Sequence, residues 1–333
     1  MMLYRDAGVD IDAMDAVKHA IGRLCRSTYT PQVLSEVGLF GSLFRMPAMR
    51  DPVLVASCDG VGTKVMIARK MGKLDTVGID IVNHSVNDIL TLGAKPLFFL
   101  DYIAHSNLKP ADLAEIVKGL GKACKANGCA LVGGETAMMP DLYKPGDFDL
   151  AGFIVGAVSR REIVDASRIR PGDVLIGLPS SGLHTNGYSL ARKALFGKTG
   201  LAMRSRPKGL RRTLGAELLV PHRSYFSSVY PLRRMVHAIA HVTGGGFYDN
   251  IQRLLPKEVS CIIRRGSWRP PAIFRLIQEL GRVPDDEMYR TFNMGIGMVL
   301  VVPSKNAKAV QARTKGARII GKVVRGTFGV LII

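Results

Sequence analysis

The sequence predicts a two-domain chain of mixed helix and strand, in the α/β or α+β class. Three observations predict it. Apolar β-branched runs alternate with helical patterns along the whole chain. No tandem repeat of roughly 20–50 residues is present, which sets a solenoid aside. The charge is also divided unevenly. The 333 residues hold 46 Lys and Arg against 27 Asp and Glu, with 18 basic and 19 acidic residues up to Asp165 but 28 basic and 8 acidic from Ala166 onward. A near-neutral half followed by a strongly basic one marks a border at 165–171, and each half is long enough to bury its own core.

In the first half, Val53–Ser57, Thr76–Ile79, Leu97–Ile103, Ala130–Val132 and Phe148–Val158 read as strands. Val82–Leu92 and Pro110–Asn127 read as helices. The second starts at a proline and stops before Gly128, as helix ends favour. After Pro171-Gly172 come a strand at Val174–Leu178 and a helix over about Thr185–Phe196. Further strands are expected at His237–His241, Val259–Ile263, Met294–Val302 and Gly326–Ile332, and helices at Phe247–Leu255, Pro271–Leu280 and Asn306–Lys315. Gly197–Gly215 reads as an inserted loop.

Composition narrows the class. With 47% hydrophobic and 22% charged residues the chain is globular, not a disordered basic tail. Its longest apolar runs, such as Ile296–Pro303, are about eight residues, short of the roughly 20 a membrane helix needs. The first fifteen residues hold four aspartates and no apolar h-region, so no secretory signal is expected. Cys25, Cys58, Cys124, Cys129 and Cys261 form no C-x-x-C pair and are odd in number, which points to a reducing cytoplasm rather than a disulfide framework or zinc site. The net charge of +19 invites a nucleic-acid reading. Yet the richest cluster, Arg192–Arg212, has eight basic residues and only Phe196 as an aromatic to stack on bases. A solvated basic surface explains it without nucleic acid.

Five clusters combine glycine with polar groups. Cys58-Asp59-Gly60-Val61-Gly62-Thr63-Lys64 follows a strand. Gly60 and Gly62 suit either a phosphate turn, with Thr63 and Lys64 on phosphate oxygens, or a plain hairpin turn. In Gly78-Ile79-Asp80 through Val86-Asn87-Asp88, a strand is expected to deliver Asp80, and a helix to place Asn87 and Asp88. Carboxylates and an amide there suit hydrated Mg2+ on phosphates, or else a helix cap and a solvated face. Leu131-Val132-Gly133-Gly134-Glu135-Thr136 puts Glu135 just past a strand and a Gly-Gly turn, a position that packing explains poorly. Ser180–Leu190 is a polar loop leading into a helix, with backbone amides suited to phosphate and His184 suited to binding or proton transfer. Ser181 or Thr185 as an ordinary N-cap is the alternative. Thr243-Gly244-Gly245-Gly246 repeats the anion-site pattern. Together these read as a two-domain enzyme handling ATP-like phosphates with carboxylate-held Mg2+.

In order and spacing these segments resemble the phosphoribosylformylglycinamidine cyclo-ligase (AIR synthetase) family. The resemblance runs from Tyr4–Ile11 to Met298 through Asp59–Lys64, Pro96–Tyr102, Leu131–Ala137, His184–Leu190, Thr243–Phe247 and Glu287–Asn293. It implies an α+β fold in which an N-terminal domain, 1–165, binds ATP and Mg2+ and forms a β-barrel shared in a homodimer. A C-terminal α/β layered domain of ferredoxin-like character, 166–333, would close over substrate and nucleotide. It further implies ATP-dependent closure of formylglycinamidine ribonucleotide to aminoimidazole ribonucleotide in purine biosynthesis. Carried over by motif, Asp59, Asp88 and Glu135 are the acidic groups around Mg2+ and triphosphate, and Lys64 is a phosphate contact. His184 and Asn186 belong to the reaction centre, and Gly60, Gly62, Thr63, Asp80, Asn87, Gly133, Gly134, Thr243, Gly244 and Gly245 to nucleotide binding. Cys58 stands where the family usually has threonine, Arg5 where it has lysine, and Gly22 where its first helix often has lysine. Related kinases and selenophosphate synthetases lack the combined His184–Leu190 and Glu287–Asn293 patterns or need an N-terminal reactive cysteine.

Overall fold

A computed structural model describes residues 11–197, 200–327 and 329–333. The Tyr4–Asp10 part of the family motif, Arg5 included, lies outside the described residues. The chain divides into two compact units, one from residues up to 89 together with 95–157, the other from 90–94 together with 158–333.

In the first unit the elements run α1 (Ile11–Arg26), β1 (Pro52–Gly60), α2 (Val65–Met71), α3 (Asp75–Leu90), β2 (Lys95–His105), α4 (Pro110–Asn127), β3 (Ala130–Met138) and β4 (Phe148–Ser159). Its four strands are ordered β1-β4-β2-β3, with β2 antiparallel to β4 and parallel to β3. α4 has the expected ends: Pro110 opens it and Gly128 closes it at φ 63°.

Two expectations fail here. Thr76–Ile79 is not a strand but the first turn of α3. Asp80, Asn83, His84, Ser85 and Asn87 of this helix are buried along with Val77, Ile81, Val82, Val86 and Ile89, so no exposed polar face marks it as a helix. Gly78 and Gly119 let α3 and α4 meet backbone to backbone: an added Cβ would lie 2.2 Å from Ile116 O or 2.0 Å from Asp75 O. The Gly133-Gly134 turn is also absent, because β3 continues through both glycines to Met138. A bulge skips Val132, after which Asp101 pairs with Gly134 and Tyr102 with Glu135. Gly134 is small because the Asp101 side chain lies over it, 2.4 Å from where a Cβ would sit.

The second unit contains β5 (Val174–Pro179), α5 (Tyr188–Phe196), α6 (Leu214–Leu218), α7 (Phe226–Val229), β6 (Ala238–His241), α8 (Gly246–Gln252), β7 (Val259–Ile263), α9 (Ala272–Gly281), α10 (Asp285–Thr291), β8 (Ile296–Val302), α11 (Ala307–Arg313), β9 (Arg318–Arg325) and β10 (Val330–Ile332). The six strands are ordered β10-β7-β9-β5-β8-β6, all antiparallel except β10 beside β7. β9 was not expected, and the strand expected at Gly326–Ile332 shrinks to β10. Leu178, Tyr225, Val229, Ile239, Met298 and Leu300 share its core. Among the described residues no helix is long and apolar enough to cross a membrane.

Candidate active site

β1 ends at Asp59 and Gly60, and a short turn over Gly62–Lys64 leads directly into α2. The segment is thus a strand-to-helix connection, not a hairpin. Asp59 is fixed partly by its neighbour, since the Gly60 N–H donates to its Oδ1 at 2.7 Å.

α3 places Asp80, His84 and Asp88 four residues apart on one face. His84 Nε2 lies 2.7 Å from Asp59 Oδ2 and 3.4 Å from Asp88 Oδ2, so this imidazole joins the strand carboxylate to the helix carboxylate. Ser57 Oγ lies 3.4 Å from Asp88 Oδ2. Burial disfavours the imidazolium of His84, but its hydrogen bond to Asp59 and the charges of Asp88, Asp59 and Asp80 outweigh that, and its pKa stands above the ordinary value. Asp59 and Asp88 retain side-chain exposures of 45% and 25%, so the carboxylates remain open to a ligand.

Lys64 is placed differently from the phosphate contact expected of it. Its side chain is fully buried, with Nζ 2.8 Å and 2.9 Å from the two oxygens of an equally buried Asp80. Burial pushes the Lys64 pKa down against the pull of Asp80. Because Asp80 sits one turn into α3 rather than on a strand, the pair ties the turn after β1 to that helix. Asn87 is buried on the same helix, while Thr63 is half-buried.

Glu135 lies elsewhere in this unit. β1 and β3 occupy opposite edges of the four-stranded sheet, three strand spacings or about 14 Å apart. Glu135 lines a cavity of about 920 Å3 together with Gly22, Gly38, Ser42, Asp101 and Gly134. Asp101 was not singled out from the sequence. Its carboxyl is pushed up to about 7, first by burial and further by the charge of Glu135.

A pH dependence follows with a definite sign. Between its ordinary value of 3.8 and about 7, Asp101 is protonated when folded and ionised when unfolded. Its contribution to stability is therefore full at low pH and is lost as pH rises through about 7. Asp101→Asn, which stays neutral, should gain on the wild type by about 1–3 kcal/mol between about pH 5 and about pH 8, read by denaturant unfolding at both. Parallel pH profiles in the two proteins would refute this.

In the second unit, Ser180–Gly187 connects β5 to α5, which starts at Tyr188 rather than Thr185. His184 is buried and held at φ +64°, a left-handed conformation that costs a residue with a side chain about 1 kcal/mol or more. The Ser181 N–H donates to its Nε2 at 3.1 Å, which leaves the neutral ring its proton at Nδ1. The His184 ring stacks on His222 at 3.9 Å. His222 in turn reaches Thr185 Oγ1 at 3.3 Å and His241 Nε2 at 3.0 Å. Asn186 comes close to Gly244, and its buried Nδ2 finds no hydrogen-bond partner among the described residues. The Thr243–Gly245 segment is shaped by Asn250, whose Nδ2 donates to Gly244 O and Gly246 O at 3.0 and 2.8 Å.

The structure thus brings together Asp59 with Asp88, Lys64 with Asp80, Glu135 with Gly133 and Gly134, and Asn186 with Gly244. His84, His222 and Asp101 are additions that sequence reasoning missed. His84 was detectable as the residue four positions from both Asp80 and Asp88, but only if 75–90 is read as one helix.

Comparison with known proteins shows the family and the fold. Residues 45–158 match the model for the N-terminal domain of AIR synthase related proteins, and residues 170–333 match that for their C-terminal domain. A phosphoribosylformylglycinamidine cyclo-ligase from Thermoanaerobacter sp. (strain X514) is 47% identical over 99% of this chain and 100% of its own length. One from Geobacter metallireducens is 50% identical over 97% of this chain and 95% of its own. Among solved structures, E. coli HypE has the same fold, with a TM-score of 0.70 at 18% identity over 96% of this chain and 93% of that one. HypE in complex with ATP gives 0.67 at 17% identity over 95% and 90%. With the two domain models covering most of its length and near-half identity end to end, the chain belongs to the phosphoribosylformylglycinamidine cyclo-ligase family.

Proposed function

We propose that this chain closes the imidazole ring of formylglycinamidine ribonucleotide, using ATP and releasing ADP and phosphate, to give aminoimidazole ribonucleotide in cytoplasmic purine biosynthesis. Near-half identity over the full length to relatives of that name carries the reading. The solved ATP complex of the HypE fold supports the nucleotide.

In the proposed chemistry the formyl oxygen of the substrate attacks the γ-phosphorus of ATP and ADP leaves. An amidine nitrogen then attacks the same carbon, and the phosphorylated oxygen departs as phosphate. Positioning and charge neutralisation are the protein's main tasks in such a transfer. Asp59 and Asp88, partly exposed and joined through His84, offer the hard oxygen donors that suit Mg2+ on phosphates, and Mg2+ would supply charge neutralisation there. Lys64 serves by fixing Asp80, and with it the helix that carries Asp88. Gly60, Gly62, Thr63 and Asn87 complete the nucleotide side. Asn186, with its buried amide nitrogen, and His184 hold the substrate and manage its proton, with Thr243–Gly245 beside them.

Glu135 joins the cation site through a homodimer. Among the described residues β1 and β3 are the outermost strands of the sheet, the β3 edge being covered by Thr28 and Ser42 only at Leu131 and Val132, and Leu54 and Phe153 are exposed at 63% and 43%. A second copy placing its β3 against β1 would close a barrel, cover these residues and bring the partner subunit's Glu135 toward Asp59. In this reading residues 1–165 bind nucleotide and dimerise, and 166–333 carry the substrate side.

The direct test incubates the purified chain with formylglycinamidine ribonucleotide, ATP and Mg2+. Aminoimidazole ribonucleotide and ADP should appear in equal amounts. ATP loss without the ring product would point to a kinase instead and sink the reading.

A further inference from the structure

We infer that His222 is a positioning residue for His184: its imidazole, stacked on the His184 ring, fixes the orientation and tautomer in which His184 meets the substrate. The inference rests on the proposed place of His184 at the reaction centre.

His184 needs such support. Its φ of +64° persists in a residue with a side chain only where the surroundings impose it. The Ser181 N–H donates to its Nε2 at 3.1 Å, a bond that leaves the ring free to tilt about its own axis. Gly297 of β8 makes room for the ring edge, since a Cβ there would lie 2.4 Å from His184 Cε1. His222 supplies the missing restraint. Its ring lies against the face of His184, with centroids 3.9 Å apart and planes 22° from parallel, and so sets the tilt.

His222 can do this because it is itself fixed. It is 1% exposed, with Nδ1 3.3 Å from Thr185 Oγ1 and Nε2 3.0 Å from His241 Nε2. In the bond between the two imidazoles one ring donates and the other accepts. The backbone around it is tied to the end of β5 and the loop that follows. Ser181 Oγ donates to Pro221 O at 2.6 Å, and Arg223 Nη1 and Tyr225 Oη donate to Pro179 O at 3.1 and 3.0 Å. Residues 221–225 thus brace the loop that carries His184 and Asn186. The alternative is that His222 serves stability alone, by filling the interior and bonding Thr185 and His241.

Two variants of the full-length chain separate these roles. His222→Gln keeps polar groups for Thr185 and His241 but offers no ring face, whereas His222→Phe offers a face and neither hydrogen bond. With formylglycinamidine ribonucleotide, ATP and Mg2+, His222→Gln should lower kcat by about tenfold or more and change KM for ATP by less than about threefold, because a misplaced group acts on the transition state. His222→Phe should keep more of kcat although it melts at a lower temperature. A kcat that follows melting temperature instead, near wild type in His222→Gln, overturns the inference, and that variant decides alone should His222→Phe not fold. A second readout needs no turnover. In 15N spectra of the histidines, with His184 identified by its loss in His184→Gln, the wild type should show one tautomer protonated at Nδ1. In His222→Gln the two nitrogens of His184 should move toward averaged values, and unmoved nitrogens overturn the inference. Product formation with unmoved nitrogens would leave the proposed function standing and remove His222, whereas a tautomer lost in the variant of a chain that makes no product would do the reverse.

Discussion

Asp88→Asn should lower turnover by at least about a hundredfold while the protein stays folded. The substitution keeps the shape of the side chain and removes its charge. Asp88 lies at the surface end of α3, a quarter exposed, and touches Ser57 and His84 rather than the core, so little stability depends on it. Its proposed task is electrostatic, to help hold the cation that neutralises a triphosphate, and an amide does this poorly. Glu135→Gln should behave alike for the same reason. The proposed dimer makes a sharper forecast. If each site takes Asp59 and Asp88 from one copy and Glu135 from the other, both lesions in a mixed dimer fall in one site and the second is intact. Equal mixing of the two inactive variants, with exchange of subunits, should then restore about a quarter of wild-type activity. Continued inactivity after demonstrated exchange would mean that Glu135 acts within its own chain or not at all. Near-normal rates in both single variants would show that the cation site is elsewhere.

What was legible in the sequence depended on whether a signal was local. α4 was readable because a proline and a glycine mark its ends, and β5 and β7 because each is a short apolar run between turn residues. The stretch at 76–79 failed because three β-branched residues around a glycine look the same in a buried helix and a buried strand. That one misreading had consequences for the site. With Asp80 at the end of a strand, its spacing to His84 and Asp88 carries no meaning. On one helix the three residues form a line, and the imidazole becomes part of the site. Gly133 and Gly134 misled in a related way, since glycine ordinarily interrupts a strand, and only the Asp101 side chain above Gly134 explains why it does not here. The carboxylates themselves were legible because an acid beside glycines at the end of an apolar run has few structural explanations. The partner of Lys64 was not, because residues sixteen positions apart meet only once α3 packs beside the turn.

That buried pair gives the largest expected effect on stability. Lys64→Met leaves Asp80 fully buried without its ammonium partner, and such a loss costs about 3–5 kcal/mol, because an uncompensated charge in the interior is worse than either a pair or an apolar contact. In a protein of this size that corresponds to a fall in melting temperature of roughly 10 °C. Asp80→Asn should be comparably damaging near neutral pH. Its stability should then rise toward alkaline pH, since the Lys64 pKa, already pushed down by burial, loses the charge of Asp80, which opposed the shift. Lys64→Met combined with Asp80→Leu removes both charges and should recover most of the loss, as matched apolar replacements of buried pairs do. Kinetics of the recovered double variant decide between two roles for Lys64. Should it act only by fixing α3, the double variant keeps a KM for ATP near that of the wild type. Should the side chain leave Asp80 to meet the triphosphate, KM for ATP rises about tenfold or more even though the fold is restored, the size expected when one charged phosphate contact is lost. Buried as it is between the end of β1 and the first turn of α3, Lys64 should show the first pattern.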